Sequence, residues 1–249
     1  MPEPPRLHVV GQQQRACDEC RLRPNCFPDH LKGEFAEHAA SVIRPRAPVP
    51  RGTYLFRQGM PVTAFYFLRS GSAKAIVTEG DGRESIMSFL FPTDLVGSAS
   101  MDQTVYHDSV VTLERSSFCE LRIGDLSDLF RRDPPTQRAF LAKVSSSILN
   151  ERHARLRLEH SSAGERMADF LLELSDRLLA LGRDPYELQL SMSRYDIANY
   201  IGLAPETVSR VLRRFDDEGF ISVRHKQLSI REPGRLRELA APSAHASGD

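Results

Sequence analysis

Three of the four cysteines lie close together near the amino end of the chain. The stretch ACDECRLRPNCFP contains Cys17, Cys20 and Cys26, and Cys119 follows much later in a strand-like segment. Four thiolates are soft ligands that suit a zinc ion or an iron-sulfur cluster, although structural zinc sites more often take their ligands as two short pairs. Redox-active thiols without a metal are a third reading, and Cys119 alone could be a small core residue. The cysteines therefore predict metal or redox chemistry without choosing between its forms.

A second group of residues has the types and spacing of a DNA-reading helix. The stretch MSRYDIANYIGLAPETVSRVLRRFDDEGFI predicts a helix from Arg194 to Ile201, a tight turn over 202–204, and a second helix with Pro205 at its first position. On the second helix the inward positions are apolar, namely Val208, Val211, Leu212 and Phe215. The outward positions are polar, namely Glu206, Ser209, Arg210, Arg213 and Arg214, and Thr207 and Arg194 complete the candidate DNA contacts. Arginine can bond bidentately to guanine, and glutamate can accept from cytosine.

The segment FISVRHKQLSI follows this helix pair and predicts a β-hairpin. Its tip, Arg224, His225 and Lys226, is a candidate wing that contacts the DNA backbone. The competing interpretation of the whole region is an amphipathic helical hairpin with a solvated basic face.

Composition limits the class of protein. A chain of 249 residues is long enough for two domains, and 33 Lys and Arg balance 33 Asp and Glu, so a DNA-binding surface must be a local patch. No segment approaches the roughly 18 uninterrupted apolar residues of a membrane span, and no secretory signal is present. We therefore expect no membrane partner and a cytoplasmic location, where cysteines are poor candidates for structural disulfides.

The remaining sequence predicts the elements that must position these residues. A flexible leader reaches about Arg15, and Pro24 and Pro28 keep the cysteine stretch in a loop with little apolar surface to bury. From residue 50 to residue 122, short apolar runs separated by glycine-bearing turns predict an antiparallel barrel or sandwich: YLF, AFYFLRSG, SAKAIV, ESIMSFLF, SVVTLE and FCELRI. Ordered structure is expected from about Leu31.

Helical spacing begins after RRDPP and continues for more than twenty residues. Residues recur there at alternating intervals of three and four, the spacing of a paired helix: Leu141, Val144, Ile148, Glu151, Arg155 and Leu158. Ser162 and Glu165 then form a capping-box pattern that opens another helix, whose apolar face is Met167, Phe170, Leu171, Leu174, Leu178 and Leu181. A domain boundary is predicted near Ser161, and the small polar residues at the carboxyl end predict a disordered tail.

With strand barrel, long helix and winged helix-turn-helix in this order, the chain resembles the superfamily of the cyclic-AMP receptor and the fumarate-nitrate-reduction regulator. The resemblance covers residues 31–235 and is carried by YLFRQGMPVTAFYFLRSGSAKAIV, by TDLVG where the family has GDLVG, and by DIANYIGLAPETVSRVLRRFDDEGFI. With the cysteines included, the chain resembles the oxygen-sensing fumarate-nitrate-reduction branch. The family's phosphate-binding Arg-Ser pair is replaced here by Ser109 and Val110, which argues against a cyclic nucleotide effector.

The resemblance implies an α+β fold in five segments. These are a leader and cysteine loop (1–30), a β-roll sensor domain (31–133), a dimerisation helix (134–161), a winged helix-turn-helix domain (162–235) and a disordered tail (236–249). It implies that Cys17, Cys20, Cys26 and Cys119 ligate a [4Fe-4S] cluster that oxygen destroys. It also implies a homodimer that binds double-stranded DNA of the type TTGAT-N4-ATCAA through Glu206, Ser209 and Arg210, and that contacts RNA polymerase through loops such as 79–83.

The long helix suggests how the two halves are coupled. If two copies pair along this helix, the Glu151 carboxylates approach each other in a partly dry seam and repel, and a pair with Arg155 softens this by only about 0.2–0.5 kcal/mol. We hypothesise that Glu151, with Ile148 and Arg155 beside it, is a dimer switch that is shielded when the cluster is intact. The alternative is a solvated position outside the seam.

Two other functions remain open. One is a regulator of the same fold that senses nitric oxide, haem or thiol oxidation, with zinc or no metal at the cysteines. A more remote one is a thiol oxidoreductase using CDEC, for which no paired acid and base lies nearby. His30 and His38 are close to the cysteine loop in sequence, but we interpret them as exposed residues at a helix start rather than as ligands.

Overall fold

The computed structural model describes residues 20, 22, 26, 27, 41–101, 103–132, 134–160 and 162–240, without the side chains of residues 132 and 150–160. The chain divides into two compact units, Met1–Glu151 and Arg152–Asp249. Most of the predicted leader and cysteine loop, with Cys17, His30 and His38, lies outside the described residues. So do the residues from 241 onward and the side chains of Glu151, Arg155 and Leu158.

The described part of the first unit contains eight short strands in two antiparallel sheets. They are β1 (Arg44–Pro45), β2 (Tyr54–Phe56), β3 (Ala64–Ser70), β4 (Ala73–Thr78), β5 (Glu84–Leu90), β6 (Leu95–Val96), β7 (Ser109–Thr112) and β8 (Ser117–Arg122). One sheet has the order β1-β8-β3-β6 and the other β2-β7-β4-β5. This is the predicted antiparallel architecture, and every predicted apolar run contains a strand.

Strand β3 is apolar from Ala64 to Leu68, where both of its faces are buried. Tyr66 and Leu68 point into the core between the two sheets, whereas Phe65 and Phe67 point into a second core on the opposite face. A strand covered on both faces reads as a continuous apolar run rather than as an alternating one.

Two helices follow the strands of the first unit. Helix α1 (Ile123–Arg132) begins directly after β8, and helix α2 (Pro134–His160) is 27 residues long, which corresponds to about 40 Å. Leu126 and Leu129 of α1 and Phe140 of α2 belong to the second core of the sheet that contains β3. The long helix was predicted, but α1 was not.

The second unit is built from helices and one small sheet. Helix α3 (Ala163–Ala180) precedes β9 (Glu187–Gln189), α4 (Arg194–Ile201), α5 (Pro205–Asp217), β10 (Ile221–Arg224), β11 (Gln227–Ile230) and α6 (Pro233–Ala240). The sheet order is β10-β11-β9, all antiparallel. The predicted capping box at the start of α3 is confirmed, because Ser162 accepts from the Glu165 N–H while the Glu165 carboxylate accepts from the Ser162 N–H.

The carboxyl end corrects one prediction. Residues 236–240, assigned to a disordered tail, belong to α6, which packs against α3. Leu236 of this helix is fully buried and Leu239 is half-buried, whereas the small and charged residues around them indicated a tail. Among the described residues, no helix has both the length and the apolar composition needed to cross a membrane.

Candidate nucleic-acid interface and cysteine site

Local signals fix the helix-turn-helix at each end. Helix α4 starts with a capping box in which the Asp196 N–H donates to Ser193 Oγ at 3.1 Å and the Ser193 N–H donates to Asp196 Oδ2 at 2.9 Å. It ends at Gly202, whose φ of 63° is left-handed, a conformation that glycine adopts without steric cost. Helix α5 begins with Pro205 at its first position, so the predicted bounds of α4 and the predicted start of α5 are confirmed.

Helix α5 has the two faces that its sequence predicts. The apolar face is buried: Val208, Val211, Leu212 and Phe215. The polar face is exposed: Glu206, Ser209, Arg210, Arg213 and Arg214. An exposed helix face of this composition has the donors and acceptors that base edges and phosphates require. Base reading by these residues stays a prediction.

Two side chains of this face are held by neighbours on the same helix. Arg210 Nη2 donates to Thr207 Oγ1 at 3.1 Å, and Ser209 Oγ donates to the Pro205 carbonyl at 3.0 Å. The hydroxyl of Thr207 thus orients the guanidinium of Arg210, while the hydroxyl of Ser209 has to rotate before it can reach a base.

The amino end of α4 contributes a residue that sequence reasoning did not single out. Arg194, a predicted contact, is half-buried, and this burial lowers the pKa of its guanidinium. Its neighbour Tyr195 is 68% exposed. The signal was present in the sequence, because the spacing from Ile197, Ala198 and Ile201 places Tyr195 on the outer face of α4.

The predicted wing is present as the β10–β11 hairpin. Arg224 pairs with Gln227 at its end, and the tip residues Arg224, His225 and Lys226 are all exposed. Strand β9 pairs with β11 on the other side. The basic tip is therefore carried by a three-stranded sheet rather than by an isolated hairpin, which is marginally stable on its own.

The structure brings Cys119 and the end of the cysteine loop to the same side of one sheet. Cys119 lies on β8 directly opposite Phe67 of β3 and packs against the core that contains Phe67. Phe27, the residue after Cys26, belongs to the same core and is 0% exposed. The loop was expected to bury little apolar surface, and Phe27 corrects this expectation.

Aromatic rings hold Phe27 in that position. Its ring stacks on Phe67 with centroids 5.6 Å apart and an interplanar angle of 5°, and it meets Phe140 of α2 edge-on at 5.7 Å. Phe140 also contacts Phe130 of α1 at 5.5 Å. The residue beside Cys26 is thus in direct contact with both the sheet that carries Cys119 and the long helix.

The thiols themselves are partly accessible. Cys20, Cys26 and Cys119 are half-buried, and none of these three forms a disulfide. Among the described residues, no group of three or more ligating side chains is close enough to hold a metal ion. Because Cys17 and most of the loop lie outside that part of the chain, the predicted set of four ligands stays a prediction.

The space between the two sheets is occupied by side chains. Arg46 Nε donates to Glu120 Oε2 at 2.9 Å, and both residues are buried. Burial raises the pKa of Tyr66 well above its usual value, and the neighbouring Tyr106 and Glu120 raise it further. Ser109 Oγ accepts from the Gln58 N–H at 2.9 Å. The serine at the position of the family's phosphate-binding pair therefore accepts a hydrogen bond within the protein, and the predicted lack of a nucleotide effector stays a prediction.

On α2, the predicted seam is partly exposed in the described region. Leu141 and Ile148 are 43% and 60% exposed, and they lie seven residues apart on one helix face. Val144 between them is half-buried and packs against the core of the first unit. Pairing through this face stays a prediction.

Comparison with known proteins agrees with this architecture. A family model described as a cyclic nucleotide-binding domain matches residues 46–133, and one described as a Crp-like helix-turn-helix domain matches residues 165–239. The transcriptional activator protein Anr of Pseudomonas aeruginosa is 37% identical over 94% of this chain and 96% of its own.

Two further relatives point to the same family. The fumarate and nitrate reduction regulatory protein of Yersinia pestis is 32% identical over 90% of each chain. The structure of FixK2 from Bradyrhizobium japonicum matches with a TM-score of 0.74 and 25% identity, covering 82% of this chain and 100% of that one. The chain therefore belongs to the Crp/Fnr superfamily of DNA-binding transcription regulators, which are not enzymes, and within it to the branch of the Anr and fumarate-nitrate-reduction regulators.

Proposed function

We propose that this chain is an oxygen-responsive activator of transcription in the cytoplasm. In this proposal Cys17, Cys20, Cys26 and Cys119 ligate a [4Fe-4S] cluster under anoxia, and the chain then binds as a homodimer to an inverted repeat of the type TTGAT-N4-ATCAA. The observation that carries the proposal is the burial of Phe27, next to Cys26, against Phe67, the cross-strand neighbour of Cys119. The similarity to a transcriptional activator and to a fumarate and nitrate reduction regulatory protein supports it.

The described cysteines fit such a group. Thiolates are the ligands that iron-sulfur clusters take, and Cys20, Cys26 and Cys119 are half-buried thiols that are not joined in disulfides. When bound, the cluster supplies an oxygen-labile connection between the loop and β8. The same donors suit zinc, so metal analysis has to decide between the two.

Phe27 connects the cysteine loop to α2 by direct contact with Phe140. While Cys26 and Cys119 belong to one ligand set, Phe27 is kept against Phe140, which is fully buried on α2. An aromatic pair of this kind contributes about 0.5–1.5 kcal/mol beyond its buried area. Release of the loop removes the contact between Phe27 and Phe140 near the start of α2. In this proposal the loss of that contact alters the position of α2 and so weakens pairing along its seam.

The exposed apolar side chains of α2 supply the dimer surface in this proposal. Leu141 and Ile148 pair with their copies, and Glu151 lies at the next seam position, where Arg155 softens the repulsion between the two carboxylates. Replacing Glu151→Ala removes that repulsion. We expect the variant to stay dimeric in air by sedimentation velocity, while Asp128→Ala, which removes an exposed carboxylate from α1, behaves like the unaltered protein. A Glu151→Ala variant that is monomeric in air contradicts this switch.

The cofactor is tested first, on protein purified without oxygen. We expect broad visible absorption with iron and sulfide in equal amounts, and bleaching after air is admitted. Cys119→Ser should lose the absorption while its far-ultraviolet circular dichroism stays unchanged. A colourless protein that contains zinc or no metal would overturn the cluster and favour a regulator of the same fold with a different signal, whereas bleaching by nitric oxide but not by air would overturn oxygen as the signal.

DNA reading is tested on the exposed face of α5. Arg210→Ala should lose about 1–3 kcal/mol of binding to the TTGAT-N4-ATCAA duplex and relax the preference at one base position. Arg237→Ala, which removes an exposed arginine from α6, is the control and should leave the preference unchanged. An unaltered base preference in Arg210→Ala would show that Arg210 does not read bases.

In this proposal, contacts with RNA polymerase are made by the exposed turn between β4 and β5, residues 79–83.

A further inference from the structure

The first turn of α3 reaches across to the end of α4. Arg166 Nη1 donates to the carbonyl oxygen of Ile201 at 3.3 Å and to that of Gly202 at 3.1 Å. These are the last residue of α4 and its left-handed cap. The final carbonyls of a helix have no partner within the helix, and a cation is favourable at that end of the helix dipole. One guanidinium from α3 therefore closes the end of α4.

The carbonyls that Arg166 binds lie immediately before the recognition helix. The Leu203 N–H donates to the Ala198 carbonyl at 2.9 Å, and α5 starts two residues later at Pro205. Residue Ala204 at the N-cap of α5 supplies no side-chain hydrogen bond. Pro205 and the Ala204 carbonyl, which accepts from the Thr207 and Val208 N–H groups, mark where α5 begins, but no capping side chain adds to them, so the turn that Arg166 binds helps to set how α5 is held.

The same turn of α3 also touches α5 directly. At Gly164, a Cβ atom would lie 2.7 Å from Arg214 Nη2, so the absence of a side chain lets the guanidinium of α5 approach the α3 backbone. Arg166 and Gly164 lie in one helical turn that begins at the Ser162 capping box. This turn therefore contacts both helices of the helix-turn-helix.

We propose that Arg166 is a positioning residue for DNA recognition. It holds the turn over 202–204 so that α5 presents Glu206 and Arg210 to the base edges at the geometry that specific binding needs, and it does not contact DNA itself. The proposal uses the DNA binding of this family of regulators and is independent of the cysteine site.

The test compares two Arg-to-Gln variants of the full-length protein. Arg166→Gln removes the two hydrogen bonds, and Arg183→Gln, exposed in the loop after α3, removes one positive charge without them. We expect Arg166→Gln to weaken binding to the TTGAT-N4-ATCAA duplex about tenfold, since hydrogen bonds from a charged donor are at stake. Binding to an unrelated duplex and the salt dependence should stay unchanged, and Arg166→Lys should recover part of the loss.

Two outcomes overturn the proposal. If affinity for both duplexes falls together and the salt slope drops by about 1, Arg166 is a phosphate contact instead. If affinity for the target duplex is unchanged, Arg166 does not position α5.

Amide hydrogen exchange separates this proposal from the proposed target sequence. In Arg166→Gln, the Leu203 amide should exchange faster while amides in the middle of α3 keep their protection. If the unaltered protein itself shows no preference for the TTGAT-N4-ATCAA duplex, that target is wrong, and the exchange rate at Leu203 still decides the role of Arg166. Unchanged exchange at Leu203 refutes it.

Discussion

Gly71, in the turn between β3 and β4, gives a prediction with a matched control. Its φ is +83°, and a Cβ atom there would lie 2.3 Å from Ser116 Oγ, 2.6 Å from the Arg115 carbonyl oxygen and 2.8 Å from the Ser116 Cα. Gly59 has the same φ of +83° and nothing within 4 Å of its Cβ position. Replacing each by alanine therefore imposes the same backbone strain, and only Gly71→Ala adds a clash.

The size of the difference can be worked from these contacts. Left-handed backbone costs alanine about 1–2 kcal/mol, and the smaller conformational freedom of the unfolded chain returns about 0.5–1 kcal/mol, so Gly59→Ala should lose about 1 kcal/mol. At Gly71 two of the crowded atoms are backbone. The third, Ser116 Oγ, accepts from the Ser72 N–H at 3.2 Å, and its single O–H donates to either the Ser72 carbonyl at 3.0 Å or the Glu114 carbonyl at 2.9 Å.

Displacing the buried Ser116 hydroxyl breaks hydrogen bonds that contribute about 1 kcal/mol each, and the backbone around residues 115 and 116 has to shift as well. We expect Gly71→Ala to lose roughly 3 kcal/mol more than Gly59→Ala. Because the chain contains no tryptophan, urea unfolding followed by circular dichroism is the suitable assay. Equal losses of unfolding free energy in the two variants would refute the reasoning, since they would mean that the β3–β4 turn can shift to admit the Cβ atom without loss of stability.

Four smaller changes test other parts of the structure. Arg46→Met should cost about 3 kcal/mol because it removes a partner of the buried Glu120 carboxylate, and Glu120→Gln added to it should recover part of the loss in urea unfolding. Thr93→Gly should gain about 1 kcal/mol, because a β-branched residue occupies a φ of 79° there; an unchanged midpoint would contradict this. Ala204→Ser should gain about 1 kcal/mol by capping α5, seen as a higher melting temperature. The pKa of Tyr66 is raised in the folded protein, so the stability that its neutral phenol contributes is complete below the usual tyrosine pKa of 10.0 and declines as the pH rises above that value. Tyr66→Phe should therefore reduce the loss of stability at alkaline pH.

The second unit was predictable because its signals are local. Pro205 marks a helix start, Gly202 a helix end and Ser162 a capping box, and each acts within four residues of its own position. The exposed face of α5 followed from helical spacing alone. What escaped prediction for a physical reason depends on distant partners: Arg166 matters through the Ile201 and Gly202 carbonyls, which lie more than thirty residues away in the sequence.

The first unit shows the limit of such signals more clearly. Strand β1 contains Pro45 and β6 has only two residues, so neither has a pattern of its own, and each exists by pairing with a strand far away in sequence. Helix α1 starts directly where β8 ends, without an intervening turn. Phe27 was missed because prolines around it indicated a loop with little apolar surface to bury, whereas two aromatic rings from other elements, Phe67 and Phe140, pack against it.

The capping box at the start of α3 has a consequence for how such proteins can be recombined. Its two hydrogen bonds, from the Glu165 N–H to Ser162 Oγ at 3.3 Å and from the Ser162 N–H to Glu165 Oε2 at 3.0 Å, are both made by residues that belong to the DNA-reading half. Both bonds therefore lie within residues 162–165. A gene fusion placed directly before Ser162 keeps both bonds, so it is the natural junction for hybrid regulators in which one DNA-reading half serves different sensors.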